Sequence, residues 1–142
     1  MKISARNSFK GTITALAPGA VNSEIIIDIG GGDVLVAIIT NGSAKALNLA
    51  VGKDVLAFVK ASSVLLMTDG GGVKLSARNA LRGIIQSVTP GAVNGEVSLK
   101  LSGGAQVHAI VTNEAIKELG LEAAKEAIVV IKASSVILGV AA

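Results

Sequence analysis

Short β-branched runs separated by glycine-rich turns form the main hydrophobic pattern of the chain. The strands predicted in its first half are residues 9–16, 25–29, 34–40, 55–59 and 64–67. The glycines at 30–32 separate two of these runs and predict a hairpin turn. Gly11 interrupts the first run, where the missing Cβ permits a bulge or a sharp coil.

One stretch of the sequence has helical character. Residues 113–119 carry Glu114 in the first turn and are followed by Gly120 as a stop signal, whereas the counterpart at 42–47 is a weaker helix candidate. About five strands with one short helix before the last are typical of a small Greek-key barrel of the OB type. The predicted fold class is therefore all-β with a small helix.

The sequence is an internal tandem duplication. Its two halves align at a constant shift of 72 residues without a gap, and 29 of the first 69 positions are identical. The longest repeated motifs are Ser-Ala-Arg-Asn at 4–7 and 76–79, Pro-Gly-Ala-Val-Asn at 18–22 and 90–94, and Lys-Ala-Ser-Ser-Val at 60–64 and 132–136. We predict two OB-like domains, residues 1–69 and 73–142, joined by a flexible glycine linker at 70–72.

The composition favours an oligomeric protein. The apolar fraction is 51%, the charged fraction 16% and the mean hydropathy +0.67. A small domain cannot bury so much apolar surface by itself, so we expect the excess to lie at subunit interfaces. No uncharged run reaches the length of a spanning helix. No basic segment followed by an apolar run opens the sequence, so we expect no signal peptide. With no cysteine present, the default expectation is a cytoplasmic homo-oligomer without membrane contact.

Several chemistries lack the residues they need. His108 is the only histidine and stands opposite Val36 of the other copy, which favours an interface or surface role over metal ligation. The glycine runs are not followed by the Lys-Ser or Lys-Thr of a phosphate-binding loop. Glu24 recurs as Glu96, but one recurring acid without a partner is poor evidence for acid–base catalysis. We therefore expect a protein that is not an enzyme.

Hydroxyls and cations recur in the repeated motifs of both copies. Ser4 and Arg6 are two residues apart, as are Lys60 and Ser62, so each pair points to one face of an extended segment. Such faces offer donors and positive charge, which suit an oxyanion, although a solvated strand face has the same spacing. The turn at 18–22 is either structural or a nest of N–H groups that binds an anion.

Four features taken together resemble the molbindins, small cytoplasmic molybdate-binding proteins built from Mop domains. They are the Ser-Ala-Arg-Asn opening, a Gly-x-Ile four residues later, the Pro-Gly-Ala-Val-Asn turn and the closing Lys-Ala-Ser-Ser-Val. The match covers nearly the whole chain twice, so it looks like a molbindin with two Mop domains. The resemblance implies OB-type barrels that store or buffer molybdate, with tungstate also accepted. Single-Mop members form hexamers, so a duplicated chain is expected to form a trimer of six quasi-equivalent units.

The resemblance also assigns residues to the anion sites. The main oxyanion sites would use Ser4, Arg6, Lys60, Ala61 and Ser62 in the first copy and Ser76, Arg78, Lys132, Ala133 and Ser134 in the second. Secondary oxyanion sites would use Gly19, Ala20, Val21 and Asn22, with Gly91, Ala92, Val93 and Asn94 as their counterparts. In the family the main pockets form between neighbouring units. Molybdate and sulfate are both tetrahedral dianions, so pocket size must decide between them.

Two other functions compete with storage. Mop pairs also serve as effector domains behind DNA-binding or ATPase domains, but no helix-turn-helix or Walker motif precedes Met1, so we expect a free-standing chain. Single-stranded nucleic acid requires aromatic stacking platforms, and Phe9 and Phe58 are the only aromatic residues. With a net charge of only +3, nucleic-acid binding is disfavoured.

Overall fold

The computed structural model describes residues 3–69 and 72–141, in which strands dominate. Those of the first repeat are β1 (Asn7–Pro18), β2 (Asn22–Gly30), β3 (Asp33–Thr40), β4 (Asp54–Val59) and β5 (Val64–Met67). Those of the second repeat are β6 (Asn79–Pro90), β7 (Asn94–Leu101), β8 (Gln106–Thr112), β9 (Glu126–Ile131) and β10 (Ile137–Gly139). The predicted all-β class with tandem OB-type units is confirmed, since the strands form two curled five-stranded sheets.

Alternating burial explains why these segments form strands. In β2, Ile25 and Ile27 are fully buried, whereas Asp28, the next residue along the strand, is exposed. Each fully buried isoleucine contributes about 1.5–3 kcal/mol relative to an exposed one. The predicted hairpin turn is also confirmed, because β2 ends at Gly30 and β3 begins at Asp33.

The hairpin turns of the two repeats touch each other. The Gly103 N–H donates to Asp33 Oδ2 at 2.7 Å. A Cβ on Gly31 would overlap the backbone of Gly103, and Gly31 has φ +62°. Glycine at these positions is therefore required both by the turn and by the contact between the two repeats.

Of the two alternatives predicted at Gly11, a bulge or a sharp coil, the bulge does not lie at the glycine itself. The pairing of β1 with β2 shifts register between Ile13 and Ala15, which places the extra residue at Thr14. Gly11 instead allows close approach of the strands, since a Cβ there would overlap the Ile27 side chain and lie 2.7 Å from the Asp28 carbonyl oxygen. In the second repeat the register shift again falls three residues beyond the matching glycine, between Ile85 and Ser87.

Each sheet takes its fifth strand from the other repeat. The first sheet has the order β10-β4-β1-β2-β3, and the second has the order β5-β9-β6-β7-β8. Ile137 of β10 is paired with Phe58 of β4, and Leu65 of β5 is paired with Val130 of β9. The predicted division at 1–69 and 73–142 therefore describes the sequence repeats, whereas each folded sheet mixes both. Of the predicted linker, residues 70 and 71 lie outside the described residues.

A short helix lies between the third and fourth strands of each repeat. The predicted helix at 113–119 is confirmed as α2 (Asn113–Leu119), where Thr112 Oγ1 accepts from the Ala115 N–H and Gly120 adopts φ +63°. Its counterpart α1 (Asn41–Ala46) begins one residue earlier than predicted. Asn48 replaces the glycine at the matching position and adopts φ +52°. Along the described residues no helix has the length and apolar character needed to cross a membrane.

Two buried asparagines join the sheets at the starts of β1 and β6. Asn7 Nδ2 donates to the His108 carbonyl at 2.8 Å, and the His108 N–H donates to Asn7 Oδ1 at 2.7 Å. Asn79 bonds both backbone groups of Val36 in the same way, at 2.7 and 2.8 Å. Both asparagines are 1% exposed. Each asparagine side chain therefore forms the two hydrogen bonds that the backbone of a neighbouring strand would otherwise form with a residue of the other repeat.

Replacing Asn79 with alanine leaves the buried N–H and C=O of Val36 without partners. We expect Asn79→Ala to lower the free energy of unfolding by about 2–4 kcal/mol. Asn94→Ala, at an exposed asparagine of the same repeat, is the matched control and should change it by at most about 0.5 kcal/mol. Urea unfolding followed by circular dichroism measures both values, and equal losses would contradict the bridging role.

Candidate functional site

The Ser-Ala-Arg-Asn and Lys-Ala-Ser-Ser motifs of each repeat meet at one end of a sheet. Asn7 is paired with Val59 in the β1–β4 ladder, so the segment carrying Ser4 and Arg6 lies beside the segment carrying Lys60 and Ser62. Asn79 is paired with Ile131 in the same way, which brings residues 76–78 beside residues 132–134. The ladders thus bring the end of each Ser-Ala-Arg-Asn motif beside the start of the Lys-Ala-Ser-Ser motif of the same repeat.

Each arginine of these motifs contacts a glutamate of the other repeat. Arg6 Nη1 and Nη2 donate to the two carboxylate oxygens of Glu96 at 3.2 and 2.8 Å. Arg78 holds Glu24 with the same two-pronged geometry, its Nη2 donating to Oε1 at 3.1 Å while Nη1 donates to Oε2. The recurring acid therefore has a partner, contrary to the expectation from sequence. The signal was present, because Glu24/Glu96 and Arg6/Arg78 recur together.

The Lys-Ala-Ser motifs enter short 3₁₀ turns, Ala61–Ser63 and Ala133–Ser135. The prediction that Lys60 and Ser62 share the face of an extended segment is therefore wrong, because only the lysine is extended and the serine lies in the turn. Ala61 and Ala133 are buried, whereas the neighbouring Lys60 and Lys132 are exposed. Ser62 and Ser134 are exposed as well. In the described part of the chain neither lysine has an ion-pair partner. Each turn therefore exposes a serine hydroxyl and a lysine ammonium group beside a buried alanine.

A groove of about 550 Å³ connects the second motif with the first repeat. It is lined by Ser134 together with Asn22, Thr40, Ser43 and apolar side chains of β3, α1 and β10. Ser134 of the main site and Asn22 of the secondary site thus share one surface. The groove is wide and open, and several tetrahedral anions would be needed to fill it.

The Pro-Gly-Ala-Val-Asn turns are pinned by the helices that follow β3 and β8. The Gly19 N–H donates to the Asn22 carbonyl at 2.7 Å, and Asn41 Nδ2 donates to the Gly19 carbonyl at 2.9 Å. The second repeat has the equivalent bonds from Gly91 and Asn113. These bonds occupy the glycine N–H groups, so Ala20 and Val21, with Ala92 and Val93, are left to offer any donors. Val21 and Val93 are about seven-tenths exposed.

One difference between the turns concerns Ser23. Ser23 is buried and its hydroxyl donates to Asn41 Oδ1 at 2.5 Å. Gly95 occupies the matching position of the second repeat, and Asn113 Oδ1 is the one buried side-chain oxygen without a hydrogen-bond partner among the described residues. The second turn therefore has the less completely satisfied polar network.

His108 lies at the contact between the repeats. Its side chain is 28% exposed, and Nδ1 lies 3.0 Å from Ser98 Oγ and 3.2 Å from Glu96 Oε1. The residue is also a neighbour of the Arg6–Glu96 pair. Among residues 3–69 and 72–141, no group of three or more His, Asp or Glu side chains is arranged to hold a metal cation.

This arrangement, two strand-exchanged OB-type sheets with matching motif pairs, defines a known class. The family model for the TOBE domain matches residues 3–66 and 75–138, and the chain belongs to this family. The resemblance to Mop-domain proteins is thereby confirmed.

A solved structure matches the whole chain. It is that of the cytoplasmic molybdate-binding protein ModG with molybdate bound, with a TM-score of 0.97 and 57% sequence identity. The match covers 99% of this chain and 100% of that one.

Curated relatives also match nearly all of this chain. The molybdenum transport protein ModE of Azotobacter vinelandii is 45% identical over 99% of this chain, and the molybdenum-pterin-binding protein MopA of Rhodobacter capsulatus is 39% identical over 97%. The chain covers 52% of each of these two relatives, so it spans about half of their length. A probable molybdenum-pterin-binding protein of Haemophilus influenzae is 48% identical over 46% of this chain and 96% of its own length, which is the size of one repeat.

Proposed function

We propose that this chain binds molybdate, and also tungstate, and that it stores or buffers these oxyanions in the cytoplasm without catalysing a reaction. The observation that carries the proposal is the 57% identity, across essentially both chains, to ModG with molybdate bound. The clustered donors of the repeated motifs support it independently.

The first pocket of the proposal consists of Ser4, Arg6, Lys60, Ala61 and Ser62. A guanidinium group has five N–H donors, and Glu96 uses two of those of Arg6. The remaining donors of Arg6 would be available to the anion, so Glu96 would orient Arg6 without using all of its donors. Lys60 supplies a second positive charge, and the hydroxyls donate further hydrogen bonds to a tetrahedral oxyanion.

The second pocket consists of Ser76, Arg78, Lys132, Ala133 and Ser134. Arg78 is oriented by Glu24 as Arg6 is by Glu96. Its groove reaches β3 and α1 of the first repeat, which fits a site completed by residues outside one repeat. The secondary sites at residues 19–22 and 91–94 belong to the proposal as weaker sites that neighbouring chains would complete.

In each main pocket the anion would be held by charge-assisted hydrogen bonds from that pocket's arginine, Arg6 or Arg78. We therefore expect the double variant Arg6→Ala with Arg78→Ala to weaken molybdate binding roughly tenfold or more at each main site. Calorimetric titration with molybdate, in the presence of excess sulfate, measures the change. Lys10→Ala removes an exposed cation outside the pockets and should leave binding unchanged. Displacement of molybdate by sulfate at comparable concentration would refute selectivity, and unchanged binding by the double variant would refute the assignment of the pockets.

A trimer with six quasi-equivalent units is part of the proposal. Exposed apolar side chains support it, among them Val21, Val93, Leu65 and Ile137. Native mass spectrometry should show an assembly of three times the 14.1 kDa chain mass, and added molybdate should increase that mass by a whole number of anions. A monomer that binds molybdate with full occupancy would exclude pockets completed between chains.

A second candidate is an effector module of a transcriptional regulator. The 45% identity to the ModE protein of Azotobacter vinelandii, over half of that protein, favours it. Both functions require the same anion pockets, so anion binding does not separate them. We expect no retarded band in a gel-shift assay of the chain with genomic DNA fragments, with or without molybdate. A molybdate-dependent shift would favour the regulator.

A further inference from the structure

The first pocket has a histidine behind its arginine. Glu96 shares its carboxylate between Arg6, at 2.8 and 3.2 Å, and His108 Nδ1, at 3.2 Å. Ser98 Oγ lies 3.0 Å from the same ring nitrogen. The four side chains form one chain of contacts that ends at the proposed anion pocket. Glu96 and His108 are 30% and 28% exposed, so solvent screens this chain only partly.

The second pocket lacks this chain of contacts. Glu24 holds Arg78 with the same geometry, but Val36 stands where His108 does and Ile26 stands where Ser98 does. The backbone is the same in both places, because Asn7 bonds His108 and Asn79 bonds Val36 through identical pairs of hydrogen bonds. The two pockets therefore differ in side-chain chemistry and not in framework.

Because of these different side chains, the net charge that each pocket can reach also differs. Arg78 and Lys132 set against Glu24 leave one positive charge, and no neighbour of Glu24 in that contact chain can add a second. Arg6 and Lys60 set against Glu96 also leave one, but a protonated His108 raises it to two, which matches a dianion. The other charged groups on elements around His108 are Lys100 on β7, Lys10 on β1, and Glu114, Lys117 and Glu118 on α2. Of all these, only Glu96 forms an ion-pair contact with His108 among the described residues.

We propose that His108 is a positioning residue that couples oxyanion binding in the first pocket to proton uptake, so that the two pockets of the chain have different affinities below neutral pH. This inference rests on the proposed function. When the ring is uncharged and Nδ1 carries no proton, this nitrogen can only accept a hydrogen bond, which the Ser98 hydroxyl can donate and the Glu96 carboxylate cannot. When it is charged, Nδ1–H donates to Glu96, which draws carboxylate charge away from Arg6 and makes the guanidinium a stronger partner for the anion.

Linkage fixes the direction of the effect. A histidine changes its charge between about pH 5 and pH 8, and an anion that binds the charged form better must take up protons as it binds. Affinity at the first pocket should therefore rise roughly three- to tenfold between about pH 8 and about pH 6. Affinity at the second pocket should change much less.

The experiment is calorimetric titration of the whole protein with sodium molybdate at about pH 6 and about pH 8, in buffers of different ionisation enthalpy. The wild type should show proton uptake on binding to half of its main sites. His108→Gln keeps a polar side chain without the charge change, and His108→Val copies the second pocket. Both variants should lose the proton uptake and the pH dependence. A purely structural role for His108 would alter affinity at both pH values but not the number of protons taken up.

The reverse exchange tests sufficiency. Val36→His with Ile26→Ser builds the same contacts in the second pocket and should extend proton uptake to the remaining main sites. Proton uptake that persists unchanged in both His108 variants would overturn the inference while leaving the proposed function intact. Molybdate binding by the wild type without any proton uptake would do the same. Failure of the wild type to bind molybdate at either pH would overturn the proposed function itself.

Discussion

Backbone pairing between the last strand of each repeat and the fourth strand of the other is the constraint on which the rest of the structure depends. Because β10 completes the first sheet and β5 completes the second, the two repeats share one apolar core. The exchange of β5 and β10 also fixes the positions of the chain segments next to these two strands. The 3₁₀ turns carrying Lys60 and Lys132 lie where the chain crosses to the other repeat, and Asn7 and Asn79 seal the same contact. Each pocket is therefore assembled at a junction between repeats.

Most of the fold followed from local sequence. The gapless repeat, the glycine hairpin and the helix with its Gly120 stop are local patterns with local physical causes. The exchange of strands could not be predicted from local sequence. Residues 64–67 predict a strand, but their sequence does not indicate the strand with which it pairs. In a duplicated chain β4 and β9 offer nearly equal edges. Gly11 shows a related limit, since a glycine can serve a bulge or a close approach, and only the packing of Ile27 against it distinguishes them.

The pocket residues were predictable as a set, and their partners were not. The main-site motifs could be proposed from sequence because both copies repeat the same hydroxyls and cations. Residues two apart share a face only on an extended strand, whereas Ser62 and Ser134 lie on 3₁₀ turns. Glu96 lies ninety residues from Arg6 along the chain, and only the folded contact between repeats joins them. The same contact gives His108 a role that its isolation in the sequence hid. The two copies differ at these positions, with Ser98 and His108 in one and Ile26 and Val36 in the other.

The exchanged strands also set the order in which the molecule can be finished during synthesis. β4 exposes an unpaired backbone edge from the time it forms until residues 137–139 have left the ribosome. An open edge of this kind can accept a matching strand from another nascent polypeptide as readily as its own. Pairing of β10 with β4 therefore determines whether a chain closes on itself or pairs with a neighbour on the same polysome.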